Sequence, residues 1–150
     1  MKQAVSEKGY KLAVASAATS LITGQEGTRV QPEIPLYQVH ASNFTSLLIT
    51  GGEGWLKTDL TSGYAKIVNA FYSSKRLIGA VCSGPVVLAK SGVITGLASV
   101  CNPLYKQELI KAGANFIDKE YIISGRILTG RDAASLPVFA LNYFNLLKTN

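Results

Sequence analysis

Histidine is almost missing from this chain: His40 is the single one in 150 residues. That comes close to excluding a histidine-based metal site, and it leaves His40 as the only imidazole available for general base work. Cysteine is nearly as scarce. Cys82 and Cys101 stand too far apart in sequence to form a C-x-x-C motif or a zinc framework. Acidic residues are few, 9 against 15 basic ones, and the net charge is +6. The basic residues are scattered, however. The longest basic run is Lys75-Arg76, without interleaved aromatics, so the charge reads as a dispersed surface and no nucleic-acid partner is expected. No apolar run approaches the ~20 residues of a membrane span, and no internal repeat or low-complexity tract is present. Lys2, Lys8 and Lys11 ahead of Leu12–Ala18 have the order of a signal peptide. The apolar stretch is short, Ala-rich and broken by Ser16, which favours a buried strand. The expectation is a soluble, cytoplasmic protein with no membrane partner.

What is abundant is apolar: 47% of residues are hydrophobic and 16% charged. A single domain of this length buries roughly 68–70% of its unfolded surface, so it needs no disulfide staple. Residues 1–8 read as a helix stopped by Gly9, and Tyr10–Ser16 as a strand. Gly24–Gly27 marks a turn. Arg29–Gln38, with Pro32 and Pro35, suits an edge hairpin. Phe44–Thr50 is a continuous apolar strand running into Gly51-Gly52-Glu53-Gly54, and Asp59–Tyr72 has helical spacing. Strand Leu77–Val81, helix Ser83–Ser91, strand Ala98–Cys101 and helix Tyr105–Ala112 follow. Tyr121–Ile123 and Ile127–Thr129 are strands joined at Ser124-Gly125, and Leu136–Lys148 is a closing helix. Strands buried on both faces and alternating with helices give an α/β fold, a mainly parallel central sheet covered by helices on both faces. Such a domain usually opens on a strand, whereas this chain opens on a helix. A first strand and most of a first helix, roughly 20–25 residues, are expected to be lacking. The alternative is a short N-terminal helix on a compact sheet.

The informative stretch is Leu77-Ile78-Gly79-Ala80-Val81-Cys82-Ser83-Gly84-Pro85. Ala80-x-Cys82-x-Gly84 has the small-x-nucleophile-x-small pattern of a nucleophile elbow, in which small residues allow a sharp strand-to-helix turn that exposes the middle side chain. Pro85 fits the first turn of the helix, where a missing N–H costs nothing. A thiol at a helix N-terminus has its thiolate form favoured by the positive end of the dipole. Backbone N–H groups there, with another from the Gly51-Gly52 loop, are placed to receive an oxyanion. The competing reading of Cys82 is a small thiol packed in the core.

At this point the chain resembles a family. Phe44–Gly52, Leu77–Ala89 and Ala112–Phe139 are similar to the PfpI/ThiJ superfamily of intracellular proteases, glyoxalases and the parkinsonism-associated deglycase. The pattern is strand-Gly-Gly, then small-x-Cys-x-Gly-Pro, then Lys111-Ala112-Gly113-Ala114-Asn115-Phe116. Gly125–Arg131 and Ser135-Leu136-Pro137-Val138-Phe139 follow in order, closest to the PfpI branch. The resemblance covers about residues 10–148. It implies a flavodoxin-like sandwich, homo-oligomers and a reactive cysteine at Cys82, with the oxyanion hole at the backbone N–H groups of Gly52 and Ser83. It implies neither cofactor nor metal. The family's cysteine is usually hydrogen-bonded by a glutamate from the first strand-to-helix turn, the region expected to be lacking here. Ser83 and Asn102 stand where members carry histidine.

Substitutes for that acid or base are few. His40 precedes the Phe44 strand and reads as a surface histidine. Glu53, beside the glycine loop, is the nearest acidic candidate, against a solvated loop carboxylate. Asp132 reads as a cap of the last helix or a local ion-pair partner of Arg131. Trp55 is a candidate pocket wall and Cys101 a core thiol. Gly51–Gly54 with Lys57-Thr58 does not have Walker spacing. Two functions follow. One is a cysteine-dependent hydrolase, glyoxalase or deglycase acting through Cys82 on a small carbonyl, amide or peptide substrate. The other is a catalytically degenerate, redox-responsive or chaperone-like oligomer whose Cys82 oxidises. A flavin or nucleotide module on the same fold has only topology behind it.

Overall fold

The computed structural model describes residues 2–24, 27–52 and 63–149. The expected roles of Glu53, Trp55 and Lys57-Thr58, and the start of the helix from Asp59, lie outside these residues. Helix α1, Lys2–Glu7, ends as expected at Gly9, whose φ of +76° suits a residue without a β-carbon. Short strands β1 (Ala15–Ser16), β2 (Ile22–Thr23), β3 (Arg29–Val30) and β4 (Ile34–Pro35) follow. Here the chain departs from the expected hairpin within Arg29–Gln38. β3 pairs antiparallel with β2 across the Gly24–Gly27 turn, while β4 pairs parallel with β1 and leads into a 3₁₀ turn at Leu36–Gln38. Pro35 sits in an edge strand of two residues, where its missing N–H breaks no longer ladder.

The central sheet comprises β5 (Ser46–Ile49), β6 (Leu77–Val81), β9 (Tyr121–Ser124) and β10 (Ile127–Gly130), ordered β5-β6-β10-β9. The β5–β6 and β6–β10 pairs are parallel and β9 adds antiparallel. β7 (Ala98–Ser99) and β8 (Asn115–Phe116) form a separate parallel pair. The expected strand Ala98–Cys101 is therefore shorter, because the Val100 N–H turns to the Thr129 hydroxyl at 3.0 Å.

Every residue of β6 is buried, as a central parallel strand requires. Its side chains alternate between two cores. Ile78 and Ala80 face the layer of helices α2 (Tyr64–Ser73), α3 (Pro85–Lys90) and α4 (Lys106–Lys111). Leu77 and Val81 face α1 and helix α5 (Leu136–Lys148). Gly79 lets α5 close on the sheet, since a β-carbon there would stand 2.6 Å from the Tyr143 ring. Helix α3 begins at Pro85 and not at the expected Ser83, because Ser83 and Gly84 form the turn itself.

Among the described residues β5 has no strand on its other side. A cavity of about 960 Å³ runs along that edge, reaching both layers: Tyr10, Leu12 and Tyr143 line it from one, Phe44, Ile67 and Val68 from the other. The expected strand Tyr10–Ser16 pairs only at Ala15–Ser16, and Leu12–Val14 are half-buried along this cavity. Among the described residues no helix is long and apolar enough to cross a membrane.

Candidate active site

β6 delivers the chain to Cys82, which takes a left-handed φ of +64°. For a residue other than glycine this costs about 1–2 kcal/mol. The neighbours impose it. The Cys82 N–H donates to the Gly130 carbonyl at 3.1 Å, and the Cys82 carbonyl accepts from the Asn102 N–H at 2.9 Å. Directly afterwards the Gly84 N–H returns to the Val81 carbonyl at 3.0 Å. Strand, strained residue and helix together make the elbow expected from the sequence.

Small residues are compulsory around it. A β-carbon on Gly84 would lie 2.7 Å from the Ile49 carbonyl oxygen and 2.9 Å from that of Val81. One on Gly51 would lie 2.6 Å from Cys82 Cβ and 3.0 Å from its Sγ. The end of β5 is thereby pressed against the thiol. Gly52 follows with φ +143°, a backbone state that side chains disfavour.

The three residues expected to form the site meet here. Cys82 is half-buried, while Ser83 is 1% exposed. Gly52 and Ser83 are joined by a reciprocal pair of hydrogen bonds: the Gly52 N–H donates to Ser83 Oγ at 2.8 Å, and the Ser83 hydroxyl donates to the Gly52 carbonyl at 2.9 Å. The Ser83 N–H has no acceptor among the described residues. The sequence pointed to the backbone of Ser83 and not to its side chain. A hydroxyl after the nucleophile is visible in the sequence, but its partner 31 positions away is not.

No side-chain hydrogen bond reaches the Cys82 thiol among the described residues. His40 is exposed and precedes the N-terminal end of β5, whereas the thiol stands beyond that strand's C-terminal end. Asn102 spends its side chain capping the next turn, accepting from the Leu104 N–H at 3.1 Å. Asp132 accepts from Arg131 Nε at 2.8 Å and from the Ser135 N–H at 3.0 Å, pairing locally and tying the turn before α5. Cys101 is fully buried, and burial, reinforced by the proximity of Cys82, pushes its thiol up to about 12. Among the described residues no cluster of His, Cys, Asp and Glu could hold a metal ion.

Comparison with known proteins finds relatives along most of the chain. The profile of the DJ-1/PfpI family matches residues 1–146. YraA of Bacillus subtilis, named among cysteine proteases, is 34% identical over 149 residues, covering 97% of this chain and 87% of that protein. A deglycase of Pyrococcus abyssi is 27% identical over 142 residues, covering 95% and 86%. A glutathione-independent glyoxalase of Caenorhabditis elegans is 26% identical over 140 residues, covering 93% and 75%. In three dimensions a ThiJ/PfpI domain protein of Brachyspira murdochii superposes with a TM-score of 0.94 at 20% identity, covering 99% of this chain and 86% of that one.

Proposed function

The chain belongs to the DJ-1/PfpI family, and from that premise we propose that it is a cysteine-dependent enzyme acting on a small carbonyl or amide compound, with Cys82 as nucleophile. The observation that carries this reading is the strained Cys82 at the elbow, held at φ +64° with the Gly51 backbone pressed against its side chain. Relatives are named deglycase, glyoxalase and cysteine protease. All three activities can begin with one step, attack of a thiolate on a carbonyl carbon.

In that step the sulfur electron pair forms a C–S bond and the carbonyl π pair moves to oxygen. The thiol proton leaves to solvent. With an aldehyde, protonation of the oxyanion gives a hemithioacetal. With an amide or ester, collapse expels the leaving group and gives a thioester that water resolves. The oxyanion is received by the Ser83 N–H and, when it is released from Ser83 Oγ, by the Gly52 N–H. The main chain thus supplies the electrophilic half of the site.

An α-oxoaldehyde, a glycated amine and a peptide amide, each incubated with the protein, separate the three substrate classes. Consumption of at least one of them is expected, with its loss in Cys82→Ala and its retention in Cys101→Ala. Equal consumption by Cys82→Ala would refute the reading. Self-association is part of the same proposal, and sedimentation velocity reads it: a species heavier than 16.0 kDa is expected, and a monomer at all concentrations contradicts it.

A further inference from the structure

The Gly52 amide carries a single proton, and Ser83 Oγ takes it at 2.8 Å while returning its own proton to the Gly52 carbonyl at 2.9 Å. Ser83 is 1% exposed and Gly52 is exposed, so the pair is shielded from water on the Ser83 side. Resting on the reading of Cys82 as nucleophile, we infer that the Ser83 side chain occupies the Gly52 half of the oxyanion hole and so sets which electrophiles Cys82 attacks readily.

Donor count decides which electrophiles react readily. A carbonyl electrophile places a full negative charge on oxygen as the C–S bond forms, and each preorganised donor aimed at that oxygen is worth about a hundredfold or more in rate. With Ser83 in place, one of the two donors is already spent. Bringing it to bear requires Ser83 to turn away and give up two part-buried hydrogen bonds, each worth about 1 kcal/mol net. Displacement at a saturated carbon generates no oxyanion and needs neither donor. Ser83 therefore slows carbonyl chemistry selectively and leaves alkylation of the same thiol untouched. It acts through the Gly52 amide, as a positioning residue.

The test compares two reagents on one sulfur. With p-nitrophenyl acetate, Cys82 sulfur bonds to the acetyl carbon, the bond to the aryl oxygen breaks, and p-nitrophenolate leaves with the electron pair. Iodoacetamide alkylates the same sulfur with loss of iodide. In Ser83→Ala and Ser83→Gly, acetylation of Cys82, mapped by peptide mass spectrometry, is expected to rise about tenfold or more. Iodoacetamide alkylation is expected to stay within about twofold, since it forms no oxyanion. Acetylation unchanged or slower in variants with the wild-type circular dichroism spectrum would overturn the role of Ser83 and leave the nucleophile standing. Iodoacetamide labelling of Cys82 with no acetylation in any form would overturn the nucleophile reading itself, and this inference with it. If neither variant folds, the ¹⁵N–¹H resonance of Gly52 in the wild-type protein decides. A shift on acetylation is expected, and an unmoved resonance overturns the inference.

Discussion

Gly51 and Cys82 are packed so closely that a β-carbon on Gly51 would stand 2.6 Å from the Cys82 Cβ and 3.0 Å from its sulfur. The contact joins the end of β5 to the turn after β6, two neighbouring parallel strands, and places a glycine backbone directly against the thiol. Nothing larger than hydrogen fits there unless the elbow moves.

Substitution at the elbow glycines follows from that contact. In Gly84→Ala the new methyl meets two backbone carbonyl oxygens, of Ile49 and Val81, which cannot swing aside. Overpacking of this kind costs about 1–3 kcal/mol, and the rigid neighbours favour the upper end. In Gly51→Ala the nearest atoms are the Cys82 side chain, so the thiol is displaced together with the loss of stability. Urea unfolding should show both variants destabilised, and iodoacetamide kinetics should show Gly51→Ala altered at Cys82. Wild-type behaviour in both assays would contradict the packing described.

The two cysteines should behave as different reagents. Cys101 is fully buried and its thiol is pushed up to about 12, first by burial and then by its neighbour Cys82. Intact-mass analysis of the native protein with iodoacetamide near neutral pH should show one addition, mapped to Cys82, and two only in denaturant. Labelling of Cys101 at a comparable rate in the folded protein is the contrary result.

Asp132 should make stability depend on pH at the acid end. The hydrogen bond from Arg131 is the main cause holding its carboxyl below the usual range, with burial opposing it and the Ser135 and Ala134 amides assisting. A carboxylate depressed in the folded state stabilises the fold above its unfolded pKa of about 3.9 and loses that contribution as pH falls through the lower folded value. Asp132→Asn should therefore be less stable than wild type near neutral pH, by the small amount expected of a partly exposed pair. The gap should narrow as the medium is acidified. Urea unfolding curves at both ends of the range measure it, and a gap that widens in acid would refute the assignment.

The cavity along the β5 edge is also testable. The cavity of about 960 Å³ beside it is lined mainly by apolar side chains from both layers, a surface that should take up an apolar dye. Anilinonaphthalene sulfonate should fluoresce on binding the native protein, and Ile67→Trp, which projects bulk into the cavity, should weaken the signal. Equal dye binding by the two proteins would place the dye elsewhere.

Legibility in the sequence divides along a physical boundary. Local signals read true: the all-apolar run Leu77–Val81, Pro85 in the first turn of α3 and the Leu136–Lys148 helix each have causes within a few residues. Pairing across distance did not. Nothing near Ile34 shows that it aligns with Ala15 and not with Arg29, because β-strand partners are chosen by tertiary packing. At the site, Cys82 was legible from the small residues flanking it. The Ser83 hydroxyl on Gly52, and the anchoring of Cys82 by Gly130 and Asn102, depend on contacts between residues 20 or more positions apart.

The proposed function turns on one step, the covalent bond from Cys82 to a carbonyl carbon. ¹³C NMR with methylglyoxal labelled at its aldehyde carbon observes that bond directly. A protein-bound hemithioacetal resonance is expected in the wild-type protein and in Cys101→Ala, and none in Cys82→Ala. The same resonance in Cys82→Ala, or none in a wild-type protein whose Cys82 still takes iodoacetamide, would contradict it.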